Sequence, residues 1–522
     1  MKLPRAHHLS SEELAGQLII PALSPGFMNR ESPEARKIFQ LVRKYALGGF
    51  ILSGGHPADV RFWSDSLQRE SKYPLFFAAK LGRGPGFNFN HGTTFPHLLC
   101  FGAAGDPELV KEYAAVVAKE ARAIGLNLII GPPLNLAYES KDKFVITDAF
   151  HHSTEVVKEM GTIFITEVQK YGIACTGKYL RIGSINQNVP NLQQVLVPSQ
   201  DTDLAAFSEA AKYDVKGLLV RYLKKSERIK TSSDEQIFLK KKLRGEWKFE
   251  GVLFLEAKTL ESNFRKRKAK NQLKSCFKAG IDLILDPPNI ATTYELLLNM
   301  LNEDENFRKN VEQAVERNFR LKRWLHKHKP VQIHPNRIYK IIEHPNHTRL
   351  SIKVAEKGIT LIRKSERYPL SIEKYNNAFH VGFSDFNDLP RMLNYFQQRL
   401  TTLFKVVHLF VNPDLPSIKD ISSTERNLAI ISLCFPATVI SQSRVDFGTI
   451  NKSILGFYKK KIPIILFIFG NPFIIKRLRF IEKTEAVFLT YSDVEASQRA
   501  AFKALIGSID IRGKLPIKIG NP

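Results

Sequence analysis

Short continuous apolar runs, each separated from the next by a helix-length polar segment, recur along the first 330 residues of the chain. They lack the apolar/polar alternation of half-exposed strands, as expected for parallel strands that are buried on both faces. Eight strands that are each followed by a helix or a long loop predict an α/β fold, a (β/α)8 barrel of the TIM type. The predicted strands are Gln17–Ala22, Gly48–Leu52, Pro74–Ala79, Leu126–Gly131, Gly172–Leu180, Lys216–Leu223, Gly251–Glu256 and Ile281–Asp286.

A second set of apolar runs follows a break in this pattern. Between His326 and Arg349 the chain crowds together His, Lys, Asn and Pro residues, which predicts a domain junction. We therefore predict a barrel domain at residues 1–330, a linker at 331–350 and a smaller α/β sandwich domain with a mostly parallel sheet at 351–522. Its predicted strands are Ala378–Phe383, Val407–Val411, Leu428–Leu433, Ile462–Phe469 and Ala486–Tyr491.

The charge of the chain points to anionic partners. Of its 522 residues 43% are hydrophobic and 25% charged, which is ordinary for a globular protein, but the formal net charge is +26. Such a surplus favours nucleic acid, acidic lipid surfaces, anionic glycans or acidic proteins as partners. A compositional bias towards Lys and Ile is the alternative explanation, and the two stand side by side.

The cysteines and histidines carry no signature of a metal site. The four cysteines are scattered through apolar segments, no C-x-x-C pair occurs, and no His/Cys cluster has the spacing of metal ligands. We therefore predict no metal and no cofactor. Free thiols, an N-terminus without an apolar signal core, and no apolar run near the ~18–20 residues of a membrane helix favour a cytoplasmic location.

Residues 243–285 contain the most specific pattern in the chain. Leu243-Arg244 closes a predicted helix, and Phe249-Glu250-Gly251-Val252 opens a strand that ends on the carboxylate Glu256. Lys278 to Leu285 then has the sequence Lys-Ala-Gly-Ile-Asp-Leu-Ile-Leu. This stretch resembles family 3 of the glycoside hydrolases. The resemblance implies a barrel in which the position of Glu256 is an Asp that acts as the nucleophile.

Further segments extend the resemblance over nearly the whole chain. Gly105–Leu109 and Ala118–Asn127 are similar to a helix of the same family. Gly470-Asn471-Pro472 and Arg512–Pro516 resemble the C-terminal domain of its two-domain β-N-acetylglucosaminidases. The resemblance therefore implies a second α/β domain and an activity on terminal β-N-acetylglucosaminides.

The loop that supplies the proton donor in that branch of the family is altered in this chain. The family pattern is Lys-His-Phe-Pro-Gly-His-Gly-Asp, and the matching stretch begins at Lys178. The two histidines are replaced by Tyr179 and Gly183, and the Asp by Ile185. Neither a glycine nor an isoleucine can transfer or orient a proton. Retaining glycosidases need a proton donor as well as a nucleophile, so the resemblance implies that hydrolysis is lost.

The positions that hold the sugar in the family are also changed. Lys80 stands where an Asp is expected, Asn135 replaces another Asp, Asp148 replaces an Arg, and Tyr222 replaces a His. Glu256 itself carries one methylene more than the family's Asp, which displaces the nucleophilic oxygen by about 1–1.5 Å, a shift that can cost ~10²-fold in rate.

The replacements place basic residues at the predicted strand ends. Lys80, Lys178, Arg181 and Arg221 converge on the face where barrel enzymes carry their chemistry. We expect Glu256 to neutralise only one of them, so that a bound anion complements the others. The candidate site therefore has Glu256 at the nucleophile position and these ligand-binding residues: Lys80, Lys178, Arg181, Tyr179, Tyr222 and Asp148. A solvated surface without a ligand is the alternative.

Three functions are compatible with these observations. The first is a family 3 fold that acts as a binding or scaffold pseudoenzyme, for an anionic glycan fragment or a partner protein. The second is an active glycosidase on terminal β-N-acetylglucosaminides, such as peptidoglycan fragments, with Glu256 as nucleophile and a proton donor elsewhere in the chain. The third is a nucleic-acid-associated protein, for which charge is the only argument, because no recognition motif with interleaved aromatic residues occurs.

Overall fold

The computed structural model describes residues 3–27, 31–138, 147–182, 201–222, 238–257, 266–328, 335–386, 388–412, 426–435 and 443–519. Contacts between Cα atoms divide the chain into two compact units. The first comprises Met1–Thr93, Lys111–Asn135 and Lys158–His344, and the second comprises Thr94–Val110, Leu136–Val157 and Pro345–Pro522.

The first unit contains a parallel sheet that closes into a barrel. Its strands are β1 (Ile19–Ile20), β2 (Ala22–Leu23), β3 (Gly49–Leu52), β4 (Phe76–Ala79), β5 (Leu128–Pro133), β6 (Ala174–Ile182), β7 (Gly217–Tyr222), β8 (Val252–Glu256) and β9 (Leu283–Leu285). They follow the order β1-β9-β8-β7-β6-β5-β4-β3-β2, and every neighbouring pair is parallel. The predicted barrel of eight strands is confirmed.

A proline explains why nine segments make eight barrel strands. Pro21 separates β1 from β2 and has no N–H to donate, although its carbonyl still accepts from the N–H of Ile51 at 2.9 Å. The β1 half pairs with β9 and the β2 half pairs with β3. The first barrel strand therefore joins the two ends of the sheet.

Helices surround these strands and cover one end of the barrel. Leu321 and Leu325 of the helix Glu305–Lys327 pack on the same apolar cluster as the barrel residues Phe76, Leu128 and Phe254. We call this N-terminal end of the strands the barrel base, and the C-terminal end the barrel mouth. The helices are Ser11–Gln17, Pro33–Tyr45, Pro57–Glu70, Pro85–Asn88, Pro107–Ala123, Thr154–Lys170, Asp201–Lys212, Lys266–Ala279, Ile290–Glu303, Glu305–Lys327 and Pro335–Ile341, with a π-helix at Phe238–Glu246 and short 3-10 turns at Ala6–His8 and Pro25–Phe27.

The second unit is built on a mostly parallel sheet, as predicted. Its strands are β10 (Thr360–Lys364), β11 (Asn377–Ser384), β12 (Val406–Val411), β13 (Asn427–Phe435), β14 (Ile464–Gly470) and β15 (Ala486–Leu489), in the order β10-β15-β14-β13-β11-β12. Only the pair formed by β10 and β15 is antiparallel within this sheet of described strands. Its helices are Leu98–Ala104, Pro345–Gly358, Leu389–Met392, Asn394–Leu403, Phe447–Lys459 and Glu495–Leu505, with 3-10 turns at Ile372–Lys374, Pro472–Arg477 and Ile481–Lys483.

Candidate active site at the barrel mouth

The ends of three barrel strands bring charged side chains together at the mouth. Glu256 is the last residue of β8, Arg221 lies near the end of the neighbouring β7, and Lys80 directly follows β4. The register pairs Val220 with Leu255, so Arg221 and Glu256 come next on the two adjacent strands. Parallel strands end on the same rim of a barrel, which is where barrel enzymes place their chemistry.

Both carboxylate oxygens of Glu256 are held by cations. Lys80 Nζ donates to Oε1 at 3.0 Å, while Arg221 donates to Oε2 from Nε at 2.8 Å and lies within 2.7 Å of it through Nη2. The side chains of Glu256 and Arg221 are each 11% exposed, and that of Lys80 is 43% exposed. Glu256 pairs with two cations although its single negative charge balances only one of them, because the adjacent strand and the long stem of Lys80 bring both to the same carboxylate.

These neighbours keep Glu256 ionised. Burial raises the pKa of Glu256, but the charges of Lys80 and Arg221 and their hydrogen bonds outweigh it, so its pKa lies below the ordinary value of 4.5. The carboxylate is therefore an anion at neutral pH.

Tyr179 supports the guanidinium from the other side. The Cζ atom of Arg221 lies 3.8 Å from the centroid of the Tyr179 ring, within the range of a cation–π interaction. The ring is buried, and Asn135 fixes its backbone by accepting from the N–H of Tyr179 at 2.8 Å and donating to its carbonyl at 3.1 Å. Tyr179, which replaces a family histidine in the sequence comparison, thus helps to position Arg221.

Lys178 and Arg181, the other two basic residues predicted for the site, lie on β6 and are buried. Lys178 is 3% exposed and Arg181 is 9% exposed. Lys178 Nζ lies 5.2 Å from the Tyr179 ring, and Arg181 is paired in register with Arg221. The peptide bond between Lys178 and Tyr179 is cis. The structure therefore brings Lys80, Lys178, Arg181, Tyr179 and Glu256 to neighbouring strand ends.

A cavity of about 200 Å³ opens beside Glu256. Lys80, Glu256, Asn88 and Ser53 line it, together with Asp286, which follows β9. Asp286 ends the last predicted barrel strand but was not among the predicted site residues. Its position at a strand end, the criterion that selected Glu256, was the signal that could have found it.

The remaining predicted residues lie elsewhere or cannot be placed in the site. Asp148 is assigned to the second unit, where its Oδ1 lies 3.4 Å from Nδ1 of His97, a buried histidine. Tyr222 ends β7, but its side chain is outside the described residues, as are Gly183 and Ile185.

The described part of the chain holds no group of three or more His, Cys, Asp or Glu residues that could bind a metal ion. None of its helices combines the length and the apolar character that crossing a membrane would require.

An eight-stranded parallel barrel with a buried, ionised carboxylate at its strand ends has the arrangement of a TIM-barrel enzyme site. Residues 11–321 match the Glycosyl hydrolase family 3 N terminal domain. The chain belongs to glycosyl hydrolase family 3, as the resemblance in its sequence predicted.

Curated relatives are hexosaminidases and related enzymes. The chain is 21% identical over 369 residues to a β-N-acetylglucosaminidase/β-glucosidase of Cellulomonas fimi, an alignment that covers 66% of this chain and 65% of that protein. It is 24% identical over 256 residues to a β-hexosaminidase of Pseudomonas aeruginosa (strain PAO1), covering 47% of this chain and 76% of that protein. The chain thus spans slightly less than two thirds of the length of the Cellulomonas relative.

Solved structures show the same fold over almost the full length. A β-glucoside phosphorylase, BglX, bound to 2FGlc superposes with a TM-score of 0.82 at 20% identity and covers 98% of this chain and 95% of that one. A family 3 β-N-acetylglucosaminidase from Paenibacillus sp. str. FPU-7 superposes with a TM-score of 0.74 at 19% identity, covering 98% and 99%. At these identities the likeness concerns the fold.

Proposed function

We propose that this family 3 protein binds a carbohydrate at the barrel mouth without hydrolysing it. The observation that carries the proposal is that Lys80 and Arg221 occupy both oxygens of Glu256. In retaining glycosidases a carboxylate oxygen attacks the sugar, and reacting atoms must approach to about 3–3.5 Å. Each oxygen keeps a second lone pair, but the bonds to Lys80 and Arg221 withdraw electron density from both oxygens, and Oε2 becomes fully free to attack only if Arg221 is released.

Releasing Arg221 is expensive because the guanidinium is buried. Separating a buried ion pair leaves an uncompensated charge and costs about 3–5 kcal/mol. If that cost is added to the activation free energy, the rate falls by roughly 10²–10⁴-fold. The loss of the proton-transfer pair at positions 183 and 185, expected from the sequence, would lower the rate by a further ~10²–10⁴-fold.

The same charges favour an anionic carbohydrate as the ligand. Lys80, Lys178, Arg181 and Arg221 oppose two carboxylates, Glu256 and Asp286, which leaves the mouth with a formal charge of +2. An acidic sugar, such as an N-acetylmuramyl fragment, would match this charge, and its affinity would fall as the salt concentration rises.

The test compares binding with turnover. We expect acidic muropeptide fragments to raise the melting temperature of the wild type more than that of a Lys80→Met variant. We expect turnover of aryl β-N-acetylglucosaminides and aryl β-glucosides at least ~10³-fold below a typical 10 s⁻¹. The assays include inorganic phosphate, because one structural neighbour is a phosphorylase. Turnover near 10 s⁻¹ that Glu256→Gln abolishes would refute the proposal.

One observation favours the alternative of an active glycosidase. Asp286 and Glu256 line the same cavity, and two carboxyl groups at one site are what a retaining mechanism needs. In that case Asp286 is the proton donor that the sequence did not reveal. Substantial turnover that is lost in both Asp286→Asn and Glu256→Gln would establish this mechanism.

A further inference from the structure

A second cavity lies at the barrel base, at the opposite end of the strands from Glu256. Its volume is about 300 Å³, and it is lined by residues that precede β4, β5 and β6, such as Leu75, Asn127 and Ile173. The helices Pro57–Glu70 and Glu305–Lys327 complete its wall. Most of the charged residues on this wall are cationic: Arg61, Arg122 and Lys322 face one acid, Asp65.

Arg61 has a buried donor without an acceptor. The residue is 8% exposed, and its Nε donates to Asp65 Oδ2 at 2.7 Å, but its Nη1 is buried and has no hydrogen-bond partner among the described residues. The stem is tightly packed, since a Cβ added at Gly125 would lie 3.2 Å from Arg61 Cδ. Buried donors in native proteins are nearly always satisfied, so an unpaired guanidinium N–H on a cavity wall indicates a place for an acceptor.

Lys322 supplies a second cation that lacks a counter-ion. It is 1% exposed, and its Nζ donates to the amide oxygen Oε1 of Gln17 at 2.7 Å. The rings of Phe76 and Phe319 lie 5.0 and 5.9 Å from Nζ. No carboxylate in the described part of the chain forms an ion pair with Lys322, and burial lowers its pKa to about 7.

Arg122 and the apolar wall complete the environment. Arg122 donates from Nη1 to the carbonyl of Tyr171 at 3.0 Å and lines the same cavity. Leu75, Leu126 and Leu325 provide apolar surface. The side chain of Asp65 is 46% exposed, so the cavity is open to solvent at the edge where Asp65 lies. The cavity therefore combines excess positive charge, an unsatisfied donor and apolar contacts.

We propose that the barrel base binds a small ligand that carries an oxyanion, a sulfate, phosphate or carboxylate group, which accepts from Arg61 Nη1 and is neutralised by Lys322. The apolar wall contacts the rest of the ligand. This site is separate from the mouth and from the carbohydrate binding proposed there.

Sulfate is a suitable probe because its charge does not change between pH 6 and pH 8.5. The full chain is titrated with 10 mM sulfate at pH 6 while NaCl holds the ionic strength constant. For a millimolar site we expect the melting temperature of the wild type to rise by about 2–4 °C. We expect calorimetric affinity to fall at least about tenfold in Arg61→Gln and in Lys322→Met.

Two control variants separate this site from other basic surfaces. Arg43→Gln removes an exposed arginine that is also paired with a carboxylate, Glu70, and Arg320→Gln removes another, which is paired with Glu250. Both should keep the sulfate response. If Arg61→Gln does not fold, Arg61→Lys, which keeps the charge but cannot provide Nη1, serves in its place and should also bind more weakly. An equal response in the wild type, the Arg61 variant and Lys322→Met, or a response lost in Arg43→Gln or Arg320→Gln, would overturn the proposal.

The pH dependence provides a further check. Sulfate should bind more tightly at pH 6 than at pH 8.5, because Lys322 loses its proton as the pH rises above about 7. Lys322 faces Gln17, Phe76 and Phe319, and the charged or titratable side chains around the cavity are Arg61, Arg122, Asp65 and His326. Since Lys322→Met retains His326, an unchanged pH dependence in that variant would contradict the role of Lys322.

Discussion

Replacement of Lys322 by methionine should change how the stability of the barrel depends on pH. Burial lowers the pKa of Lys322 from 10.5 to about 7. Because this pKa is depressed in the folded state, the unfolded chain binds more protons between about pH 7 and pH 10.5, and the free energy of unfolding rises with pH across that window. Below pH 7 the buried charge costs the folded state about 5 kcal/mol, from 1.36 kcal/mol for each pKa unit.

Methionine removes this cost but also removes a hydrogen bond. Gln17 Oε1 loses the donor it has at 2.7 Å, which costs about 1–3 kcal/mol, although Gln17 Nε2 still donates to the backbone. At pH 6 and low anion concentration the variant should therefore be about 2–4 kcal/mol more stable than the wild type. Between pH 7 and pH 9 this difference should shrink by about 2 kcal/mol, because the wild-type lysine loses its proton.

Tryptophan fluorescence during urea unfolding measures the stability of the first unit, which contains Lys322. Trp63, Trp247 and Trp324 are the three tryptophans of the chain, and all three belong to the first unit. The free energy of unfolding is measured for both proteins at several pH values from 6 to 9.5 in chloride buffers. A difference between the two proteins that stays constant with pH would show that Lys322 does not titrate in this window, and the assignment of a buried, unpaired cation would be wrong.

Three further predictions concern the mouth and the domain organisation. Glu256→Gln should destabilise the barrel by about 3 kcal/mol in urea unfolding, because it leaves Arg221 buried without its carboxylate. Adding Arg221→Met should recover part of this loss. Equal stability of the wild type and Glu256→Gln would show that the ion pair has no net effect. Because the pKa of Glu256 is lowered in the folded state, its contribution to stability is present above pH 4.5 and is lost as the pH falls through the folded-state pKa. The difference in unfolding free energy between the wild type and Glu256→Gln should therefore narrow in acid. A difference that stays constant with pH would contradict this. Limited proteolysis should cut first between His326 and Arg349, and a dominant early cut within Gly251–Leu285 would contradict the barrel assignment.

The barrel strands were predictable because parallel buried strands leave a strong local pattern. Each predicted run overlaps an observed strand, and the termini differ by a few residues. The strand β10 at Thr360–Lys364 was not predicted. It is a five-residue strand at the edge of its sheet, it is half exposed, and it ends in Arg363-Lys364, so neither length nor hydrophobicity distinguishes it from a loop.

The chemistry of the site depended on distances that a sequence does not contain. The residue types at the strand ends could be read from the sequence, and Glu256, Lys80 and Lys178 follow from that pattern. That one carboxylate takes two cations depends on the register of β7 with β8 and on the reach of Lys80. The cavity at the base was missed because Arg61 and Lys322 lie 261 positions apart on two helices, without any local motif.

The positions of these ion pairs determine at which end of the barrel a bound anion would stabilise the protein more. At the mouth Glu256 pairs with both Lys80 and Arg221 and balances one of their two charges, and Tyr179 stacks on the guanidinium, so part of the charge that predicted an anion is already compensated within the protein. Within the part of the base that the structure describes, Lys322 has only an amide oxygen as acceptor, and Nη1 of Arg61 has none. A buried charge without a partner costs more than an exposed one, so a bound oxyanion would stabilise the base more than the mouth. A bound anion would therefore stabilise the protein most at the base of the barrel, the end at which no local sequence motif marks a site.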